Sequence, residues 1–281
     1  MKKLSYLGGL DSDSNMSKQN PNRYSQIIEA IFLRYYQEGV EIVPFSRSDI
    51  ENAAKQLEIS LPKNIGDVLY SFRYRTALPD SIVDKARPGM QWVIKSTGRS
   101  AYIFHLVKQI TIEPNPALAE TKILDSTPGV VNRYALSDEQ SLLAKLRYNR
   151  LIDIFTGLTC YSLQNHLRTT VSGVGQVETD ELYVGLDRRG VQYAIPVQAK
   201  GARDQIGQVQ IEQDIALSRE KFPDLICIPI AAKFIRPDLI ALFAFENTEG
   251  GMAIINERHY HLVDSNDLSS DELLAYRTRP L

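Results

Sequence analysis

The stretch Gln176 to Gly201, QVETDELYVGLDRRGVQYAIPVQAKG, restricts the fold more than any other part of the chain. Val177 to Leu186 carries β-branched and aromatic residues with acids at alternating positions, and Val191 to Lys200 repeats this pattern, ending in Gln and Lys. Each reads as a strand. Asp187-Arg188-Arg189-Gly190 between them is a polar turn whose glycine can take a positive φ, so the pair is expected to form an antiparallel hairpin. Side chains alternate along a strand, which places Glu178 and Asp180 on one face of the first and Gln198 and Lys200 on one face of the second. Ala199 and Glu181 face the other way.

If the two polar faces coincide, a carboxylate, an amide oxygen and an ammonium meet at one end of an otherwise apolar hairpin. Burying them without partners is costly. A divalent cation held by oxygen ligands, with the lysine beside an attacking water, accounts for the set. A surface hairpin with a solvated polar edge is the alternative.

Asp180, followed about eighteen positions later by Gln198-Ala199-Lys200 after an apolar run, resembles the PD-(D/E)xK nuclease signature, and V-E-T-D with I-P-V-Q-A-K is similar to its restriction-endonuclease members. Gln198 stands where that family usually has Asp or Glu, and no Pro precedes Asp180. The resemblance covers roughly Ser137 to Phe245. It implies an α/β (α+β), restriction-endonuclease-like mixed sheet of four or five strands flanked by helices. It also implies Mg²⁺ held by Asp180, the side-chain oxygen of Gln198 and the carbonyl of Ala199, with Lys200 orienting water and neutralising the scissile phosphate. A helix before the first catalytic strand often brings a further acid; Glu139 is the candidate here, although an acid in a first helical turn is also favoured by the helix dipole alone. Glu178 is the alternative ligand. The most specific activity implied is that of a type II restriction endonuclease acting as a homodimer on double-stranded DNA.

The net charge of −2 conceals an asymmetry: Met1 to Asn115 has 15 Lys and Arg against 12 Asp and Glu, and the remainder has 17 against 22. The first part is thus the better candidate for phosphate and the second for cations. No apolar run is long enough to span a bilayer and the N-terminus lacks a signal-peptide h-region, so a cytoplasmic protein is expected. Cys160 and Cys227 lack metal-ligand spacing and read as reduced core thiols.

Residues 1–21 read as a flexible arm. A helix is expected over Tyr24 to Glu38, then a strand from Val40 to Phe45. A helix over Asp49 to Leu57 with Ser46 to Asp49 as its cap comes next, and a further helix over Asn64 to Tyr74. Strands at Gln91 to Ile94 and Ala101 to Val107 flank a basic tip. This is the layout of a winged-helix module, placed at 22–115, and it nominates Lys63, Asn64, Arg73 and Arg75 on the second helix of a helix-turn-helix, with Lys95 and Arg99 on the wing, as DNA contacts. A helical unit that merely packs on the second domain is the alternative.

Residues 116–136 read as a linker with a possible strand at Thr121 to Leu124, and 137–281 as the catalytic domain. There, one helix is expected over Asp138 to Thr156, closed by Gly157. Leu158 to Arg168 is expected as a second helix or irregular segment, and a helix over Gln205 to Phe222 that is rich in Gln. Ser172-Gly173-Val174-Gly175 is a turn into a strand and lacks the helix that a nucleotide-binding glycine loop needs. His259 and His261 have no third ligand nearby for zinc. Besides the nuclease, two other functions fit: a DNA-binding regulator that keeps the fold without the chemistry, and a repair or modification-dependent nuclease.

Overall fold

Apolar residues three and four apart decide where the first helices lie. In α1 (Arg23–Tyr35), Ile27, Ile28, Ile31 and Phe32 form one buried stripe, and in α2 (Arg47–Gln56) Ile50, Ala53 and Ala54 do the same. The Asp49 carboxylate accepts the Ser46 N–H at 2.8 Å, the reciprocal bond of a capping box. A computed structural model describes residues 23–74, 76–248 and 251–279 of the chain, so the expected arm 1–21 and Arg75 lie outside the described residues.

Between α1 and α2 runs β1 (Ile42–Ser46); after α2 come α3 (Gly66–Tyr74), the short α4 (Asp80–Val83), β2 (Met90–Gly98) and β3 (Ala101–Lys108). The three strands form an antiparallel sheet in the order β1-β3-β2. Phe32, Trp92 and Phe104 meet edge to face in the core beneath it.

The rest of the chain forms a curled eight-strand mixed sheet with flanking helices. Its elements are β4 (Glu120–Leu124), α5 (Gly129–Tyr134), α6 (Asp138–Tyr148), α7 (Leu151–Thr156), β5 (Thr159–Val171), β6 (Gly175–Leu186), β7 (Gln192–Lys200), α8 (Gln208–Lys221), β8 (Ile226–Cys227), β9 (Ile230–Arg236), β10 (Leu239–Thr248), β11 (Gly251–Val263) and α9 (Ser270–Tyr276). The main order is β4-β11-β10-β9-β7-β6-β5, with β8 beside β7. Ile230 and Ala232 of β9 pack toward α6 and α7, whereas Ala231 packs toward Ile211 and Ile215 of α8. The central strands are thus apolar on both faces, as expected where helices cover both.

The expected hairpin is present, with Glu181 to Leu186 paired antiparallel to Gln192 to Val197 and Gly190 at φ 84° in the turn. Three expectations are corrected. Leu158 to Arg168 is extended rather than helical: it lies almost wholly in β5, an edge strand, and is exposed on both faces over much of its length. The helix expected over Asp138 to Thr156 is two, because Arg150 takes φ 54° and the Asn149 side chain is drawn to the Ser126 N–H (2.7 Å) and the Thr127 hydroxyl (2.9 Å). The sheet has eight strands, not four or five, since β10 and β11 form a long hairpin and β4 pairs parallel with β11. That last pairing brings part of the expected linker into the large sheet. No helix among the described residues is long and apolar enough to cross a membrane.

The two parts touch along β2 and α8, where Gln91 Nε2 donates to Gln208 Oε1 at 3.0 Å and Lys95 Nζ lies 2.5 Å from Glu212 Oε2. Gly175, at φ 91°, leaves so little space that a Cβ there would stand 3.2 Å from Ser96 Oγ.

Candidate active site in the interdomain cleft

The hairpin opens where its polar residues begin. The β6–β7 ladder stops at the pair Glu181–Val197, after which β7 runs on beside β9, pairing Gln198 with Ala231 and Lys200 with Lys233. On the other side of β6, Asn165 pairs with Glu181 and Leu167 with Thr179; His166 between them takes φ 47° and lies across from Asp180. Asp180 therefore sits where the regular pairing lapses on both flanks. Histidine tolerates the left-handed region better than most residues, and such backbone gathers at functional sites.

Into that gap the Asp180 Oδ2 accepts the Ala199 N–H at 2.8 Å, with Lys200 Nζ 3.9 Å away. Lys200 Nζ also lies 3.5 Å from Glu139 Oε1, at the start of α6. Burial raises the Asp180 carboxyl above its ordinary pKa; Lys200 and the Ala199 N–H oppose this, Glu139 adds to it and His166 opposes it.

Gln198 is buried. Its Nε2 donates to Asp214 Oδ2 at 2.9 Å and to the Glu178 main-chain oxygen at 3.2 Å, while its Oε1 has no hydrogen-bond partner. Asp214, on α8, is fully buried and its other oxygen accepts the Thr179 hydroxyl. Burial pushes its pKa up to about 7; the Thr179 and Gln198 bonds act against this, Asp180 adds to it and Lys200 lowers it.

The site faces a cleft of about 1510 Å³ between the two parts of the chain. Of the residues expected to bind DNA, Asn64, Arg73 and Arg99 line the cleft opposite Glu139, Glu178, Asp180, Gln198 and Lys200. His166, Arg168 and Arg203 line it as well. Glu178 is half-exposed, 3.8 Å from Arg168. Asn64 also caps α3, its Oδ1 accepting the Gly66 N–H at 3.1 Å. Lys63 is exposed outside the cleft lining, and Lys95 lies against Glu212.

The cleft is lined by five Lys and Arg against six Asp and Glu, so it is no uniformly basic groove. Polyanion binding next to Glu139, Glu178 and Asp180 calls for a compensating cation. Among the described residues no three His, Cys, Asp or Glu side chains are placed to share one, so a cation beside Asp180 depends on the unpartnered oxygen of Gln198. That oxygen is hard and neutral, the oxygen type that Mg²⁺ accepts beside a carboxylate. The residues present fit the ion.

Two residues of this site escaped the sequence reading. Thr179 carried no signal. Asp214 carried one, an acid amid Ile211, Ile215 and Leu217 on the side of the helix expected to be buried. Compared with protein-family models, with curated proteins and with solved structures, the chain matches none.

Proposed function

We propose that the chain is a Mg²⁺-dependent DNA endonuclease of the type II restriction kind, with a PD-(D/E)xK-like core behind a winged-helix-like reader. The observation that carries this is the meeting of Asp180, Gln198 and Lys200 where β6 and β7 part, with Glu139 brought to the same lysine. A surface hairpin with a solvated edge does not predict a buried Gln198 or a mostly buried Lys200. The reader is supported by the chain order α1-β1-α2-α3, then the short α4 and the β2-β3 hairpin, with β3 between β1 and β2 as in a winged helix, and by Arg73 and Arg99 on the cleft wall that faces the hairpin.

Asp180 and Gln198 Oε1 would hold the cation, with the Ala199 carbonyl as the third oxygen that the resemblance supplies. Bound there, Mg²⁺ would offset negative charge on the phosphate and make a bound water more acidic. Lys200 orients the attacking water and faces the phosphate, and Glu139 holds the ammonium in place. Arg168 and His166, on the strand across from Asp180, contact the backbone on either side of the bond to be cut. Duplex DNA seated between α3 and the hairpin is read by one wall and cut at the other, and a homodimer cuts both strands.

Plasmid cleavage with and without Mg²⁺ tests the activity, and the fragment ends show whether cutting is site-specific. Gel shifts in EDTA are expected to retain binding, because arginine contacts to phosphate need no cation. Loss of all binding in EDTA at low salt would count against a separate reader. The regulator reading draws on Gln198 and on the missing three-acid cluster; a protein that binds specific DNA but cuts none with Mg²⁺ or Mn²⁺ would establish it.

A further inference from the structure

Gln198 leaves the site one carboxylate short of the pattern that it resembles, yet a carboxylate stands directly behind it. We infer that Asp214 is a positioning residue that locks the Gln198 amide with Oε1 presented to the cation and supplies, through that amide, the negative charge missing from position 198. This rests on the nuclease reading above.

The lock follows from donors and acceptors. Both partners of Gln198 Nε2, Asp214 Oδ2 at 2.9 Å and the Glu178 carbonyl at 3.2 Å, are oxygens. Turning the amide over would set Oε1 against both, so its orientation is fixed. The only side-chain atom of Gln198 left without a partner is the oxygen a cation could use. A carboxylate accepting the amide N–H polarises the amide and adds electron density to its oxygen, an effect strengthened in a water-free interior. Asp214 is such an interior group, with no exposed surface.

Packing alone does not account for an acid here. Thr179 and Gln198 donate to different oxygens of Asp214; an asparagine would keep one oxygen for Gln198 and turn its N–H toward the Thr179 hydroxyl, without the cost of burying a carboxylate. The charge itself is therefore the feature to explain. It lies near enough to Asp180 and Lys200 for both to act on it.

The test exchanges acid and amide across the pair. Mn²⁺ serves as the probe, with free ion counted by electron paramagnetic resonance at about pH 8; thermal midpoints are measured in EDTA. The proteins are wild type, Asp214→Asn, Gln198→Glu, the double variant Gln198→Glu/Asp214→Asn, and Asp180→Ala. In Gln198→Glu two carboxylates oppose each other at hydrogen-bond distance. Adding Asp214→Asn restores an N–H between them in the reverse direction. The Glu178 carbonyl loses its donor in both Gln198→Glu proteins, so comparing these two isolates position 214.

Asp214→Asn is expected to raise the midpoint of Gln198→Glu and tighten its Mn²⁺ binding at least tenfold, while weakening Mn²⁺ binding in the wild-type background. If Asp214→Asn changes Mn²⁺ binding by one common factor in both backgrounds, Asp214 merely packs and the inference is overturned. Should Asp180→Ala bind Mn²⁺ like wild type, the cation site itself is elsewhere, and the nuclease reading of this hairpin falls together with the inference. Loss of coupling with Asp180→Ala still defective removes only the inference.

Discussion

Two neighbouring acids on β6 meet opposite fates. Glu181 is fully buried and has everything it needs: Arg147 Nε lies 2.7 and 3.0 Å from its two oxygens, and the Ser162 hydroxyl donates at 2.5 Å. One residue away, Asp180 has one N–H at 2.8 Å and an ammonium 3.9 Å off, and the Gln198 beside it holds an oxygen with no partner. Buried polar groups are normally satisfied. A fold that completes the Glu181 shell and leaves the next one open has the means to close both, so the open shell is where an outside ligand belongs. On the proposed function, the buried charge at Glu181 serves the fold, and that at Asp180 serves the chemistry.

The sharpest way to break this contrast is to alter each acid in turn. Asp180→Asn keeps an oxygen for the Ala199 N–H and removes only the charge, and Lys200→Ala removes the ammonium that stands 3.9 Å from Asp180. Each is expected to lower cleavage on the order of 10²–10⁴-fold, with the thermal midpoint kept. Single-turnover cleavage alongside a melting curve checks it. A Lys200→Ala protein cutting at the parent rate would return Asp180, Gln198 and Lys200 to a structural role. Glu181→Ala should show the reverse, a loss of stability before any specific loss of chemistry. It strands Arg147 and Ser162, and the cost is expected at about 2–3 kcal/mol. That is below the value for fully buried pairs because the Arg147 side chain keeps 36% exposure. Urea titration of Glu181→Ala beside Asp180→Asn measures the difference.

The hairpin and its wording were legible because strand periodicity and the Q-x-K spacing are local. The completion of Glu181 was not, since Arg147 comes from α6 and Ser162 from β5, and nothing in V-E-T-D-E tells which acid the fold satisfies. The extended conformation of Leu158 to Arg168 was hidden for another reason: as an edge strand exposed on both faces, it lacks the apolar alternation that marks β6. The break between α6 and α7 depends on Asn149 reaching Ser126 and Thr127, a long-range bond that no helix signal carries. Asp214 shows a gap of a different sort. Its place among Ile211, Ile215 and Leu217 was readable, but the amide-rich run around it reads as a solvated face, whereas Gln208 and Gln213 are themselves buried.

A third acid lies between the two extremes, and pH separates it from both. Asp214 has its hydrogen bonds but no opposite charge in contact, and its pKa stands at about 7 against an ordinary 3.8. Its folded pKa is raised, so the folded protein holds a proton that the unfolded chain releases between these values, and stability falls as pH rises through that window. The penalty is complete above about 7. Lowering the pH from 8 to 6 should therefore stabilise wild type relative to Asp214→Asn by about 1.4 kcal/mol, measured in EDTA. A constant difference across that range would mean that Asp214 does not titrate within it.

The same division between completed and open charge predicts which cations reach DNA. Arg99 is exposed at the β2–β3 tip and lines the cleft, whereas Lys95, nominated with it from the sequence, lies 2.5 Å from Glu212 and mostly out of solvent. A lysine already neutralised releases few counterions from DNA. Arg99→Ala should lower the slope of log affinity against log salt by about 0.9, the value of one phosphate contact. Lys95→Ala should leave that slope unchanged and alter affinity by about twofold at most, since a partly exposed ion pair contributes on the order of 0–1 kcal/mol. Fluorescence anisotropy over a salt series in EDTA reads both. If Lys95→Ala instead reduces the slope as much as Arg99→Ala, the contact with Glu212 opens when DNA binds, and completion of a charge in the unbound fold would not mark it as structural at the domain boundary.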